Sequence, residues 1–206
     1  MKKFAFNISS IAKIAAAAVA IFVIIFAVVK ILGSSYSPKP IGYFRIELKD
    51  KTYTKYEDQK YPFTFDYPSN VATVKPKKER ADDKYGLNII YPGLRGCIYC
   101  DYKPVNGNFR EISEDCRSFV YKHASKADAI TDQVFDNDEN NVHGLVYRLQ
   151  GNTASQIQFV LTDSTKHVFR GALYFNVEPN ADSIAPVVKY VNEDIVRMIE
   201  TFRWKD

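Results

Sequence analysis

Hydrophobic and polar positions along this chain fall into three regimes. Residues 14–29 form an uncharged apolar run bounded by Lys13 and Lys30. As a helix at about 1.5 Å per residue it would extend about 24 Å. Ile31 and Leu32, with Lys30 snorkelling its ammonium outward, bring it close to the ~30 Å of a bilayer core. The second regime is SSYSPKPI at 34–41, a short extended spacer, because Pro38 and Pro40 push the residues before them away from helix.

From there the period becomes two. Phe44, Ile46 and Leu48 alternate with Arg45 and Glu47, and Phe63, Phe65 and Tyr67 follow in FTFDY, which predicts half-buried strands. GLNIIY at 86–91 and GCIYCDY at 96–102 read as a strand pair turned by Pro92, Gly93 and Leu94. Over 108–126, Phe109, Ile112, Cys116, Phe119, Val120 and His123 recur at steps of three and four. Charged residues fill the other side, so this segment predicts an amphipathic helix lying on a sheet. Four β-rich runs come next, at 129–135, 142–150, 155–162 and 168–177. Their connections are too short for parallel crossovers and predict an antiparallel meander. A final helix is expected to be capped by Asp182 or Ser183, with Pro186 in its first turn. Val187, Val191, Ile195, Met198, Ile199 and Phe202 form its buried stripe. The expected fold is α+β: one antiparallel sheet, with a four-strand C-terminal meander, packed by two amphipathic helices. The expected organisation is an anchor at 1–33, a spacer at 34–41 and one globular domain at 42–206.

Charge changes the picture of where the protein works. The chain carries 28 Lys and Arg against 24 Asp and Glu, and the first 30 residues hold four of those Lys and no acid. The remainder is formally neutral, so the basicity belongs to the apolar segment and argues against nucleic acid as a partner. Lys2, Lys3 and Lys13 before the apolar run place the N-terminus in the cytoplasm and the domain on the far side of the membrane. A cleaved signal peptide, processed near Gly33, Ser34 and Ser35, is the alternative to a retained helix.

The candidate chemistry is sparse. Cys97 and Cys100 form a C-x-x-C, but three steps along a strand put them on opposite faces about 10 Å apart, beyond disulfide reach. Cys100 and Cys116 are the expected pair for any disulfide. His123, His143 and His167 sit on separate elements without metal-ligand spacing, and no phosphate loop, dinucleotide motif or nucleophile elbow occurs. No metal or cofactor is therefore expected. The densest polar cluster is TDSTKHVFRG at 162–171, where Asp163, Ser164, His167 and Arg170 surround one hairpin. It reads as a turn and an interaction surface, with a periplasmic hydrolase using His167 with Asp163 or Ser164 as the rival.

Strand, helix, four strands and helix, with FTFDYP early and RGALYF before a helix ending in ETFRW, resembles the Mog1/PsbP-like α/β/α sandwich. SPKPIGYFRIEL at 37–48, YPFTFDYP at 61–68, LNIIYP at 87–92, YKPV at 102–105 and YKH at 121–123 are similar to the GldD gliding-motility lipoproteins of the Bacteroidota. So are AD at 127–128 and the long block QFVLTDSTKHVFRGALYFNVEPNADSIAPV at 158–187. That resemblance implies a non-enzymatic, periplasm-facing envelope protein that works with other gliding and type IX secretion proteins. It implies no defined functional residues. Members of the family end their signal in a lipobox whose Cys is acylated. This chain has Ile31, Leu32, Gly33 and Ser34 there, and no Cys before Cys97. A serine hydroxyl cannot form the thioether, so the apolar helix is expected to hold the domain at the membrane.

Overall fold

The computed structural model describes residues 8–32, 42, 46–78 and 83–205. The chain divides into two compact units, Met1–Phe44 and Arg45–Asp206. The first contains α1, Ile8–Leu32, whose 25 residues extend about 37 Å, and whose described side chains from Ile11 to Lys30 are all exposed. The spacer at 34–41 and Phe44 lie outside the described residues.

The second unit is built on two antiparallel sheets. Strands β1 (Tyr53–Tyr56) and β2 (Phe63–Pro68) pair with each other, and the two-residue β10 (Arg203–Trp204) adds to the other side of β2. The larger sheet has seven strands: β3 (Thr73–Pro76), β4 (Leu87–Tyr91), β5 (Gly96–Pro104), β6 (Ala129–Asn137), β7 (Val142–Gln150), β8 (Ile157–Thr162) and β9 (His167–Phe175). Their order is β3-β4-β5-β9-β8-β7-β6. The meander and the β4–β5 hairpin predicted from periodicity are both present. They are joined through β5 and β9, paired from Gly96 against Phe175 to Pro104 against His167.

The faces of this sheet are covered by different helices. Alternation along β5 sends Ile98, Cys100 and Tyr102 into the main core with β2 and helix α3, Ala181–Glu200. On the opposite face α2, Phe109–Tyr121, seats Ile112 and Cys116 against Val168, and Val120 against Tyr147 and Leu149. The main core is aromatic at its centre. Phe63 lies 4.8 Å from Phe169 and 5.6 Å from Phe202 by ring centroids. Gly171 makes the close packing there feasible, since a Cβ at that position would fall 2.1 Å from the Phe159 ring.

Several expectations need correction. Residues 46–50 form no strand, and Ile46 and Leu48 are exposed, because alternation without a hydrogen-bonded neighbour does not make a sheet. The helix read over 108–126 stops at Tyr121 and gives way to a 3₁₀ turn at Ala124–Lys126, leaving Phe119 exposed and His123 beyond the helix. Asn180, not Asp182 or Ser183, caps α3 through its side-chain oxygen on the Ser183 N–H. The helix therefore begins earlier, and Pro186 falls inside it rather than in its first turn. The stripe read from Val187 to Phe202 is buried, and Asp194 is buried with it.

Candidate functional site

The β8–β9 hairpin is organised around Asp163. This side chain is 7% exposed, and its Oδ1 accepts the backbone N–H groups of Thr165 at 3.0 Å, Lys166 at 2.8 Å and His167 at 2.8 Å. Burial alone would push its carboxyl up, but these three donors and the nearby His167 hold it below the usual carboxylate range. Thr162 completes the turn by accepting from the Ser164 N–H and donating to the His167 carbonyl. Ser164 sits at φ 63° with its side chain exposed.

The four residues singled out here do not converge. His167 shares the core-side face of β9 with Phe169. Its Nδ1 lies 2.6 Å from the Tyr102 hydroxyl, and its ring stacks on Trp204 at 4.9 Å. Arg170 points to the α2 face, lying over the Phe119 ring at 4.3 Å with Nη1 3.6 Å from Asp101. Asp163 meets His167 through the backbone N–H. Strand alternation, present in the sequence, already places His167 and Arg170 on opposite faces.

A charged concave site lies elsewhere. A cavity of about 600 Å³ opens between α2 and the β3–β5 side of the sheet, where α2 leaves the face uncovered. Asp101 lines it, 2.5 Å from Lys77 Nζ and 3.6 Å from Arg170 Nη1. Asp83 lies beside it, 8% exposed, accepting the Tyr102 N–H at 3.2 Å. Burial raises the Asp83 carboxyl above its ordinary value, the Tyr102 N–H and Lys77 oppose this, and the Asp101 charge adds to it. Gly86 leaves room for this carboxylate, since a Cβ there would fall 2.2 Å from it and displace it. The arrangement presents charges of both signs to a polar ligand. Cys116 lines the same cavity, but burial pushes its thiol up to about 11, so it stays protonated at neutral pH and is not an activated nucleophile.

A third polar group is centred on α3. Asp194, 2% exposed on α3, meets Lys51 Nζ at 2.8 Å, the Tyr53 hydroxyl at 2.6 Å and the Tyr91 hydroxyl at 3.1 Å. Burial raises its carboxyl, and these three partners oppose the rise. Lys51 also donates to the Tyr190 carbonyl and lies 3.8 Å over the Tyr190 ring, while the Tyr190 hydroxyl donates to the Lys49 carbonyl. Together these contacts strap the segment leading into β1 onto α3. A signal existed: position 194 is three past Val191 and falls on the buried stripe.

All three cysteines are free thiols. Cys100 is enclosed in the main core and Cys116 packs under α2, so the sheet separates them and the expected Cys100–Cys116 pairing is not made. Cys97 and Cys100 do face opposite sides of β5. His123 Nε2 lies 3.2 Å from the Tyr174 hydroxyl, and burial lowers its basicity, with Arg170 adding to the effect. His143, by contrast, is not isolated. Its Nδ1 contacts Asp136 and lies 4.0 Å from Asp138, so among the described residues these three donors, all within 4.8 Å of one another, could hold a divalent cation. The imidazole–carboxylate contact accounts for the same arrangement without one, and Asp138 is 92% exposed.

The family model described as "Gliding motility lipoprotein GldD" matches residues 33–204. No curated protein matches the chain.

Proposed function

The chain belongs to the gliding motility lipoprotein GldD family, and from that premise we propose that it is a non-enzymatic assembly component of the gliding apparatus and its associated type IX secretion machinery. As a family member it is a membrane-associated envelope protein related to gliding motility. The observation that carries the reading is the extent of the match, which takes in nearly all of the chain beyond α1. The state of the hairpin supports the non-enzymatic part. Asp163 is committed to three backbone donors, the His167 ring is held between Tyr102 and Trp204, and Ser164 is an exposed turn residue. A nucleophile needs a base within hydrogen-bond reach, and this geometry favours a turn over a hydrolytic centre.

In this reading α1 stays on the protein and holds the domain in the periplasm in place of a lipid. Its length and the uncharged apolar run from Ile14 to Val29 support that role. Mass spectrometry of the mature N-terminus checks it: an intact start is expected, and cleavage near Ser34 or Ser35 would make the domain soluble and end the anchor reading. Deletion of the gene is expected to abolish surface spreading and secretion of C-terminally tagged cargo. Normal spreading and secretion in that strain would defeat the assembly reading. His167→Ala and Ser164→Ala are expected to leave function in place at normal protein levels, whereas loss of function with an intact fold would revive the hydrolase.

A further inference from the structure

The seven-stranded sheet ends on two strands that are finished in opposite ways. β3 has four residues, closes on Pro76 and carries exposed Lys75 and Lys78 in and just beyond it. Shortness, Pro and Lys are the usual means of blunting an edge. β6 has nine residues, all in register with β7, and contains no Pro, Lys or Arg. Among the described residues it is the last strand on its side of the sheet, so alternate N–H and C=O groups along it point outward.

The edge has a pocket and a charge. Val134 on β6 is 69% exposed, the highest value among the described large hydrophobic residues outside α1. Register places it opposite Leu145 on the α2 face. Beside it a groove of about 300 Å³ runs between α2 and β6–β8, lined by Phe109, Val134, Leu145, Tyr147 and Val160. An outward edge next to an apolar groove under a helix is what strand addition uses: the main chain supplies affinity, and a side chain in the groove supplies selectivity. From residue 127 to 147 the chain has Asp128, Asp132, Asp136, Asp138 and Glu139 and no Lys or Arg. Asp132 and Asp136 are the charged residues of β6, so two copies paired about Val134 would set acid against acid, which weakens a cross-strand pair, whereas Lys or Arg opposite these positions strengthens it.

We propose that β6 is a docking edge for an extended segment of a partner protein that bears Lys or Arg along one side and inserts an apolar side chain into the groove beside Val134. The proposal rests on the assembly reading above and specifies the chemistry of the partner that reading requires.

The test uses the full chain in detergent micelles and a short fluorescent peptide alternating Lys and Val. Saturable binding is expected, and it should weaken about ten-fold or more when Glu replaces Lys in the peptide. Methylating alternate peptide amides should cost about as much, because it removes the strand hydrogen bonds while leaving the charge in place. Asp132→Lys with Val134→Lys should do the same without changing thermal unfolding of the protein. Equal binding of the Lys and Glu peptides, or binding that survives amide methylation, overturns the proposal, and the methylation arm does not depend on any variant folding. Self-association in sedimentation that Val134→Lys abolishes also overturns it, by giving the edge to a second copy. A deletion strain that still spreads and secretes normally strikes the assembly reading and leaves the peptide result untouched, so the two failures can be told apart.

Discussion

Along β5, neighbouring residues enter unlike surroundings. Ile98, Cys100 and Tyr102 join an aromatic and aliphatic core in which Phe63, Phe65, Phe159, Phe169, Leu173 and Phe202 are wholly enclosed. Tyr99, Asp101 and Lys103 turn to the face that α2 only partly covers, among Lys77, Asp83 and Arg170. The first face is closed by α3 and the small β1-β2-β10 sheet, and apolar contact dominates it. The second is held by a narrow stripe under α2 and leaves a charged cavity and an acidic edge to solvent. One sheet thus closes an apolar core on one side and leaves polar and acidic surface on the other, because strand alternation sends successive residues to opposite faces.

Truncation should separate the two faces most clearly. Phe169→Ala removes a ring in contact with four others on the core face and is expected to cost about 4 kcal/mol by urea unfolding. Asp194→Ala should cost about 3 kcal/mol, since it strips the Tyr53 and Tyr91 hydroxyls of their acceptor and leaves the Lys51 ammonium only the exposed Glu193 carboxylate, 3.2 Å away. Ile112→Ala, under α2, is expected to lose about 2 kcal/mol. A loss there equal to that at Phe169 would erase the distinction between the faces.

The next effect has the opposite sign. Because the folded protein holds the Asp83 proton more tightly than the unfolded chain does, stability falls as pH rises from the ordinary carboxylate value through the raised folded value. Asp83→Asn keeps an acceptor for the Tyr102 N–H and removes the charge, so it is expected to flatten that fall and to be more stable than the parent at neutral pH. Urea titrations across a pH series check this, and a less stable variant at neutral pH would contradict it. The smallest change should be Asp132→Lys with Val134→Lys, within about 0.5 kcal/mol of the parent because both sit on an exposed edge. Its effect belongs to binding.

Much of the fold was legible because it is local. Runs such as 142–150 keep period two and are bounded by turn residues, so their strands and the meander could be read directly. The pairing of β5 with β9 could not, since it joins segments about 70 residues apart and leaves no local pattern. The strand expected at 44–48 shows the same limit in reverse, for its alternation finds no partner at Ile46 and Leu48. The candidate site fared less well. Asp163 was rightly placed at a turn, but Asp83, Asp101, Lys77 and Arg170 come from four separate segments and meet only once the sheet and α2 are assembled. Asp194 falls on the helix stripe, but what makes its burial tolerable is not local, because Lys51, Tyr53 and Tyr91 arrive from elsewhere.

By itself the sequence determined an apolar helix at the start, the antiparallel strands, two amphipathic helices and, through its motifs, the family. These follow from periodicity and composition, which neighbouring residues carry. Tertiary structure alone decided which cysteine lies behind which face, which carboxylates are buried together, and that one edge of the sheet is blunted while the other is open. Those outcomes depend on contacts between segments far apart in the chain, and burial and charge acquire their energies only when such segments meet.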